Sequence, residues 1–277
     1  MNAVADTDTY GLYNTSMWSS SYGCKIERTG SSGSYSYSVA SDWADRPVNY
    51  VSWGDAARFC NWLENGQAVG AQGLSTTEDG SYYLNGATSD AALLAVTRNP
   101  DATWVIPSED EWYKAAYHKN DGVTGNYWDY PTSSHTAPGY VNNAGNLSGT
   151  GNPFVEGGID PGNYATYDGD GGTDGIGSPY YRTEVGEWEN SESPYDTFDQ
   201  GGNVWEWNEA ILYGSFRGLR GGSFSSIFYD LRASGRYYSP PSREGDFIGF
   251  RVAEVPEPGT VGLLGLGMLA ALRKRRK

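Results

Sequence analysis

Cysteine and histidine are scarce in this sequence, and their scarcity excludes several kinds of site. The 277 residues contain two cysteines, Cys24 and Cys60, and two histidines, His118 and His135. No Cys-x-x-Cys pair occurs, which excludes a zinc ribbon and a thioredoxin-type redox centre. No G-x-S-x-G motif occurs, so the nucleophile elbow of α/β-hydrolases is missing as well. Whether the two cysteines form a disulfide stays open, because the sequence does not give their separation.

Basic residues are also in the minority, with 19 Lys and Arg against 34 Asp and Glu. Five of the cations and two of the acids lie in residues 254–277, so residues 1–253 keep 14 cations against 32 acids, a net charge of −18. Such a surface repels nucleic acid and anionic membranes, and it suits divalent cations or basic partners. Solubility outside the cytoplasm explains the charge equally well. We expect no nucleic-acid partner.

Long helical patterns and runs rich in Val and Ile are scarce, whereas glycine (38), tyrosine (22) and tryptophan (10) are plentiful. Glycine permits tight turns, and aromatic rings can build a core without much regular structure. The composition therefore predicts a loop-rich α+β domain, and it is too aromatic for a disordered chain.

Two short strands, each followed by a helix-start signal, are predicted before residue 119. A long loop region is predicted for residues 119–198, and it needs something to hold it, such as ions or ligand contacts. Further strands are expected in "SYYLNG" and at about residues 218–225 and 247–253. The strand and helix pairs are residues 48–51 with a helix capped by Ser52 and Asp55, and residues 104–106 with a helix capped by Ser108 and Glu111 that runs to about His118.

The last residues of the chain form a distinct segment. Pro-Glu-Pro at 256–258 is followed by an apolar run over 260–272 and then by five consecutive cations. Thirteen residues make roughly 20 Å of helix, short of the ~30 Å hydrocarbon thickness. The run is apolar on all faces, which argues against an amphipathic tail helix. A short apolar run with a positive stop is typical of a sorting signal held briefly in the membrane.

This segment resembles the PEP-CTERM signal of Gram-negative bacteria. The resemblance implies export, recognition by an exosortase and removal of the tail near residues 256–258, with the tail in the inner membrane only transiently. Export needs an N-terminal signal peptide, yet "MNAVADTDTYGLYN" has neither a positive nor an apolar region. We therefore expect the true start to lie upstream, with Met1 an internal or misassigned start and the domain in residues 1–253 truncated at its N-terminus.

Four ordered motifs in the body support a second resemblance. They are "PVNYVSWGDAARFCNWL", "IPSEDEWYKAAY", "GGNVWEW" followed by "RGGSF", and "GFRVA". Together they resemble the formylglycine-generating enzyme family, also called sulfatase-modifying factors, from about residue 45 to 253. The resemblance implies a complex C-type-lectin-like fold with little regular secondary structure.

The same resemblance implies calcium as a structural ion. In the family, the segment matching "DQGGNVWE" wraps calcium, so the implied ligands are Asp199, the carbonyls of Gly202 and Val204, and the Glu206 carboxylate. Calcium accepts such a mixture of hard oxygen donors. The alternative for Glu206, which lies between two tryptophans, is a buried ion pair with Arg220 or Arg251.

A second calcium site is implied before the first one. Its candidate ligands are Asn163, the carbonyl of Tyr164, and one of Asp168, Asp170 or Asp174.

The family's catalytic chemistry is not expected here. Its enzymes oxidise a substrate cysteine with a pair of cysteines between the "GGS" and "GFR" motifs, and here that interval contains no cysteine. Thiolates bind the family's copper, and serine does not replace them as a soft ligand, so no copper is expected. Some relatives use iron held by three histidines, but only two histidines exist, and His118 is expected to cap a helix end.

We therefore expect a non-catalytic protein, exported to the cell envelope or extracellular matrix, that binds a peptide or glycan through the old substrate groove. One alternative is a formylglycine-generating-type oxidase or an enzyme with altered chemistry on that scaffold, and the other is a purely structural envelope protein. The aromatic lining expected for that groove, which is equally compatible with a core, comprises Tyr229, Tyr237, Tyr238 and Phe247.

Overall fold

The computed structural model describes residues 1–169, 171–172 and 174–255. Residues 256–277 of the sorting signal predicted at 254–277, which include its apolar run, lie outside the described residues, as does the candidate ligand Asp170. Within the described ranges, no helix is long and apolar enough to cross a membrane.

Short helices and short strands are joined by long irregular segments, which confirms the prediction of a loop-rich α+β fold. The helices are α1 (Ser16–Ser19), α2 (Trp53–Glu64), α3 (Asp90–Ala95) and α4 (Glu109–Tyr117), with a 3-10 turn at Ser41–Trp43. The strands are β1 (Ile26–Thr29), β2 (Ser36–Val39), β3 (Trp104–Val105), β4 (Trp205–Leu212), β5 (Phe216–Arg220), β6 (Tyr237–Ser239), β7 (Ile248–Gly249) and β8 (Ala253–Glu254).

The largest sheet has the strand order β6-β5-β4-β7. Its β4–β5 and β5–β6 pairs are antiparallel, whereas β4 and β7 run parallel. Two further pairs, β1–β2 and β3–β8, are antiparallel. The pairing of β8 with β3 brings the end of the domain back to the strand that precedes α4.

Helix α2 begins with the predicted capping box. The Asp55 N–H donates to Ser52 Oγ at 3.1 Å, and the Ser52 N–H donates to Asp55 Oδ2 at 2.8 Å. These bonds satisfy amides that have no partner inside the helix. The buried face of α2 packs on the sheet in the main core, which comprises Trp53, Ala56, Ala57, Cys60, Tyr82, Leu84, Leu93, Val96, Ile106, Trp205, Trp207, Leu219 and Ile248.

The strand predicted at residues 48–51 is wrong. Tyr50 has a φ of 56°, a left-handed conformation that interrupts extended backbone. Its N–H donates instead to the Gly245 carbonyl at 2.9 Å. The hairpin strand expected in "SYYLNG" is also wrong, since that segment makes one isolated bridge, between Tyr82 and Arg98.

Helix α4 also follows its prediction closely. Ser108 and Glu111 form its capping box, and His118 is the residue that ends it. The His118 ring bonds the Tyr195 hydroxyl at 2.8 Å and the Val123 carbonyl at 3.1 Å, so it ties two loops to the helix end.

The long region between α4 and β4 contains isolated bridges but no strand or helix among its described residues. Two small aromatic clusters hold it. One packs around Tyr164 and Trp188, and the other around Tyr130 and Tyr167. Aromatic packing therefore supplies much of the support that the length of this loop region requires.

Unfolding should depend on pH through Asp55, because burial raises the pKa of this carboxyl to about 7. Between about pH 4 and 7 the folded protein then keeps a proton that the unfolded chain has released. The free energy of unfolding should therefore fall as pH rises through this window, by up to roughly 1 kcal/mol per pH unit. Denaturant titrations at several pH values give the slope of the free energy of unfolding against pH. This slope should be smaller in Asp55→Asn than in the wild type.

The exposed Asp101→Asn serves as the matched control and should leave the slope unchanged. If the stability of Asp55→Asn changed with pH as steeply as that of the wild type, other carboxyls would set the pH dependence.

Candidate functional site

Glu206, the carboxylate between two tryptophans, lies on β4 and is buried. Arg251 forms a bidentate ion pair with it, in which Nη2 donates to Oε1 at 2.8 Å and Nε donates to Oε2. Trp112 Nε1 also donates to Oε2, at 2.6 Å. Arg220, the other arginine considered for this role, pairs with Glu109. Glu206 thus accepts three hydrogen bonds, two from Arg251 and one from Trp112.

The remaining members of the first predicted calcium site lie just before β4. Asp199 Oδ2 accepts a hydrogen bond from the Gly186 N–H at 2.6 Å, and burial raises the pKa of this carboxyl to about 6. Gly202 has a φ of 83°, and an added Cβ would lie 2.2 Å from the Thr166 carbonyl oxygen. Glycine is therefore required where the chain curls toward the buried Val204.

The second predicted set is spread over several contacts. Asn163 Oδ1 accepts from the Thr132 hydroxyl at 2.6 Å, and the Tyr164 N–H donates to Ser191 Oγ at 2.9 Å. Asp168 accepts from the Gly172 N–H. Asp174 lies elsewhere and accepts from the Tyr22 hydroxyl at 3.2 Å.

One member of each predicted set meets at a small cavity. Tyr164 and Asp199 line it together with Thr132 and Ser191. Its volume of about 10 Å³ is close to that of a single water-sized sphere. Asp199 lines this cavity, and its Oδ1 makes no hydrogen bond to a described residue.

The four aromatic residues expected to line one groove lie in three environments. Tyr237 packs on Trp205 with ring centroids 5.4 Å apart, and Tyr238 stacks beside it. Tyr229 lies 4.6 Å from the Arg232 guanidinium. Phe247 packs against the main core. Among the described residues no ring contact joins these three groups.

A polar cavity of about 430 Å³ lies beside Tyr229, at the interval between the "GGSF" and "GFRVA" motifs. That interval supplies one wall, α4 supplies another, and the loop after α4 supplies the third. The lining residues are Tyr113, Asp129, Tyr130, His135, Arg232, Ala233 and Ser234.

Arg232 provides a cation at this cavity. Its Nε donates to the Tyr130 hydroxyl at 2.9 Å, and this bond raises the pKa of the guanidinium above its ordinary value. The facing loop holds a His135–Asp129 pair at 3.0 Å, with both side chains at least half exposed. The cavity thus offers donors, acceptors and aromatic faces within a few hundred cubic ångströms.

Sequence reasoning missed this cavity. Arg232 lies in "LRASGR", within the interval between the "GGSF" and "GFRVA" motifs, but nothing local marks it as a wall residue. Asp129 and His135 lie about a hundred residues earlier, in a region without regular periodicity. Their approach to Arg232 depends on the Ala233 N–H, which donates to the Asp129 carbonyl at 2.8 Å.

A second cavity, of about 420 Å³, lies between the N-terminal residues and α2. Its lining is mainly apolar and includes Val4, Leu12, Ile26, Phe59 and Phe250. This lining suits an apolar group, whereas the cavity at Arg232 suits a polar ligand.

Both cysteines are free and buried, and neither lies in the interval between the "GGSF" and "GFRVA" motifs. Cys60 belongs to the main core, as its helical spacing predicts, and burial raises the pKa of its thiol. Cys24 packs with Met17 and Val51. Neither lines the cavity at Arg232.

A known protein family matches the part of the chain that precedes the tail. The family model for a sulfatase-modifying factor enzyme 1-like domain matches residues 2–255. The chain belongs to this family. The resemblance seen in the four motifs is thus confirmed. No curated protein matches the chain.

The PEP-CTERM protein-sorting motif matches residues 254–277, and its first two residues overlap the end of the sulfatase-modifying factor match. This match confirms the resemblance of the tail. It indicates export, recognition by an exosortase and sorting to the bacterial cell envelope.

Several solved structures resemble the sulfatase-modifying factor domain. CarF is 18% identical with a TM-score of 0.46, over 78% of this chain and 70% of that one. Treponema denticola variable protein 1 is 20% identical with a TM-score of 0.47, over 79% and 74%. PvdO from Pseudomonas aeruginosa is 17% identical with a TM-score of 0.43, over 82% and 68%.

Removing the Arg251 guanidinium should lower the stability of the folded protein, because Glu206 is buried. Arg251→Met leaves the carboxylate without its charged partner, so the free energy of unfolding should fall by about 3–5 kcal/mol in denaturant titrations. The control is Arg236→Met, which removes a more exposed partner of Glu109 and should cost under about 1 kcal/mol. Equal losses in the two variants would contradict a special role for the buried pair.

Calcium stays a prediction for this domain, with Asp199 as its central ligand. Calcium should raise the melting temperature over a chelator by several degrees, because an ion that binds only the folded state stabilises it. Asp199→Asn should remove most of that rise, whereas Asp101→Asn should keep it.

Identical melting curves in calcium and chelator would refute the ion sites. A calcium affinity that increases in Arg251→Met would instead show that the guanidinium competes with the ion for Glu206.

Proposed function

We propose that this protein is a non-catalytic, carbohydrate-binding member of the sulfatase-modifying factor family, sorted to the surface or extracellular matrix of a Gram-negative bacterium. In this proposal the tail lies in the inner membrane only until it is cleaved. The observation that carries the proposal is the cavity of about 430 Å³ at Arg232, built from the interval where the family's enzymes carry their catalytic cysteines.

The interval itself argues for binding rather than for the family's oxidation. It contains no cysteine, and the thiols present elsewhere are buried. Oxidation of a substrate cysteine by this family needs exposed soft sulfur donors, because the thiolate is the reactive form. The interval instead supplies Arg232, Ala233 and Ser234 to a polar cavity.

The lining favours a glycan over a peptide. Tyrosine offers both a flat apolar face for the C–H groups of a sugar and a hydroxyl for its oxygens. Arginine, histidine and aspartate add donors and acceptors for further hydroxyls. An extended peptide is usually held along a sheet edge or a long groove. The edge strand β6 spans three residues, which offers little such edge.

The size and location of the site agree with this function. A cavity of about 430 Å³ lies within the range of roughly 300–1,000 Å³ typical of small-ligand sites. Sorting to the cell envelope brings the domain to the polysaccharides outside the cell. Structural calcium, where bound, would hold the loops and take no part in binding.

Blocking the cavity tests the proposal. Ser234 is exposed and lines the cavity, so Ser234→Trp should fill it without disturbing the core. Glycan and peptide arrays should first identify a saccharide bound by the purified chain. Calorimetry should then show at least a tenfold weaker affinity in Ser234→Trp, because the indole occupies the ligand's place.

The control Ser32→Trp adds the same bulk at an exposed turn that does not line the cavity, and it should bind as the wild type does. Retention of full affinity in Ser234→Trp, or binding of peptides alone, would contradict the proposal. Aldehyde formation on a cysteine-containing peptide in the presence of copper would restore the enzymatic alternative.

A further inference from the structure

We infer that the saccharide bound at the Arg232 cavity carries a carboxylate, as a uronic acid does, and that Arg232 takes this group. The inference rests on the proposed function and adds the chemical class of the ligand. It starts from the state of the Arg232 guanidinium.

Part of the Arg232 guanidinium makes no hydrogen bond within the described chain. Its Nε is committed to the Tyr130 hydroxyl, whereas Nη1 and Nη2 make no hydrogen bond to any described residue. No carboxylate of the described chain lies within ion-pair distance of it. The nearby carboxylate of Asp129 is held by His135 at 3.0 Å. These two terminal nitrogens, the fork of the Arg232 guanidinium, are thus available to a ligand.

Aromatic rings hold the fork in place. The guanidinium carbon lies 4.6 Å from the centroid of Tyr229 and 5.4 Å from that of Phe228. Together with the bond to Tyr130, these contacts restrain the plane of the group. A restrained planar fork matches the two oxygens of a carboxylate and loses little freedom on binding.

Other arginines of this acidic chain are used differently. In residues 1–253, 32 acids outnumber 14 cations, so an arginine usually has a carboxylate within reach. Arg182, Arg217 and Arg243 also have no carboxylate within ion-pair distance among the described residues, and the first two donate to backbone carbonyls. Arg232 is the one of these four that lines the polar cavity, which suggests an external acid. The paired examples are Arg28 with Asp8, Arg46 with Glu156, Arg58 with Glu78, Arg98 with Glu111, Arg220 with Glu109 and Arg251 with Glu206.

A carboxylate suits this site better than a phosphate group. Arg232 is the one permanent cation among the described lining residues, and the surrounding surface is strongly acidic. A doubly charged group would need a second cation, whereas a single planar acid is matched by one guanidinium. The hydroxyls of Tyr113 and Ser234 are then left for the ring hydroxyls of the sugar.

The test compares acidic and neutral sugars of the same shape. Galactose oligomers that carry one galacturonic acid, and the matching neutral oligomers, are titrated into the purified chain by calorimetry at fixed ionic strength. We expect the acidic oligomer to bind at least tenfold more tightly, since the neutral one leaves the fork to water. Acetate is titrated separately as a free carboxylate and should bind far more weakly.

Variants of Arg232 assign the effect to the fork. Arg232→Gln should abolish the preference, so that the acidic and the neutral oligomer bind this variant with the same affinity. Arg232→Lys keeps the charge without the fork and should retain an intermediate preference. The control Arg243→Gln removes a cation that does not line the cavity and should change neither affinity.

Three results would overturn the inference. Equal affinities for acidic and neutral oligomers in the wild type would refute the carboxylate and leave the glycan proposal standing. Acetate binding as tightly as the acidic oligomer would reduce the site to a simple anion site. Binding of neither oligomer, nor of any saccharide on the array, would remove the glycan proposal and this inference together.

Discussion

The buried ion pair between Glu206 and Arg251 is the constraint on which the arrangement of this domain depends. Glu206 lies on β4, Arg251 lies between β7 and β8, and Trp112 of α4 donates to the same carboxylate. A buried carboxylate without partners is strongly unfavourable, so these three segments must come together as a unit. The position of α4 follows, and with it the position of Tyr113 on the wall of the polar cavity.

Local signals in the sequence predicted local structure well. The capping boxes at Ser52 and Ser108 need only a hydroxyl and an acid three residues apart, so both helix starts were predicted correctly. Residues 48–51 have the composition of a strand but find no neighbouring strand, and Tyr50 turns the chain instead. Strand β4 was not predicted, because its alternation of tryptophan and acid signals an ion or ion pair as readily as a strand.

The candidate site was harder to predict than the family. Two of the expected groove residues, Tyr237 and Tyr238, do lie together, but their contacts are with Trp205 and Phe216 on the sheet. The polar cavity instead joins α4, the loop around Tyr130 and the segment around Arg232. Such a site depends on contacts between residues about a hundred positions apart, in a region where glycine-rich turns leave no periodic pattern. The calcium ligands remain predictions, and Glu206 illustrates why, since the same carboxylate suits an ion or a guanidinium.

Strand β8 has a consequence for maturation. It pairs with β3, and the last described amide, that of Val255, donates to the Thr103 carbonyl at 2.7 Å. The start of β3 is in turn held to α2, because Glu64 accepts hydrogen bonds from the N–H groups of Thr103 and Trp104. A protease that cuts beyond Val255 therefore severs a peptide bond without opening any hydrogen bond between described residues. Removal of the sorting motif at that point would leave every hydrogen bond described here in place.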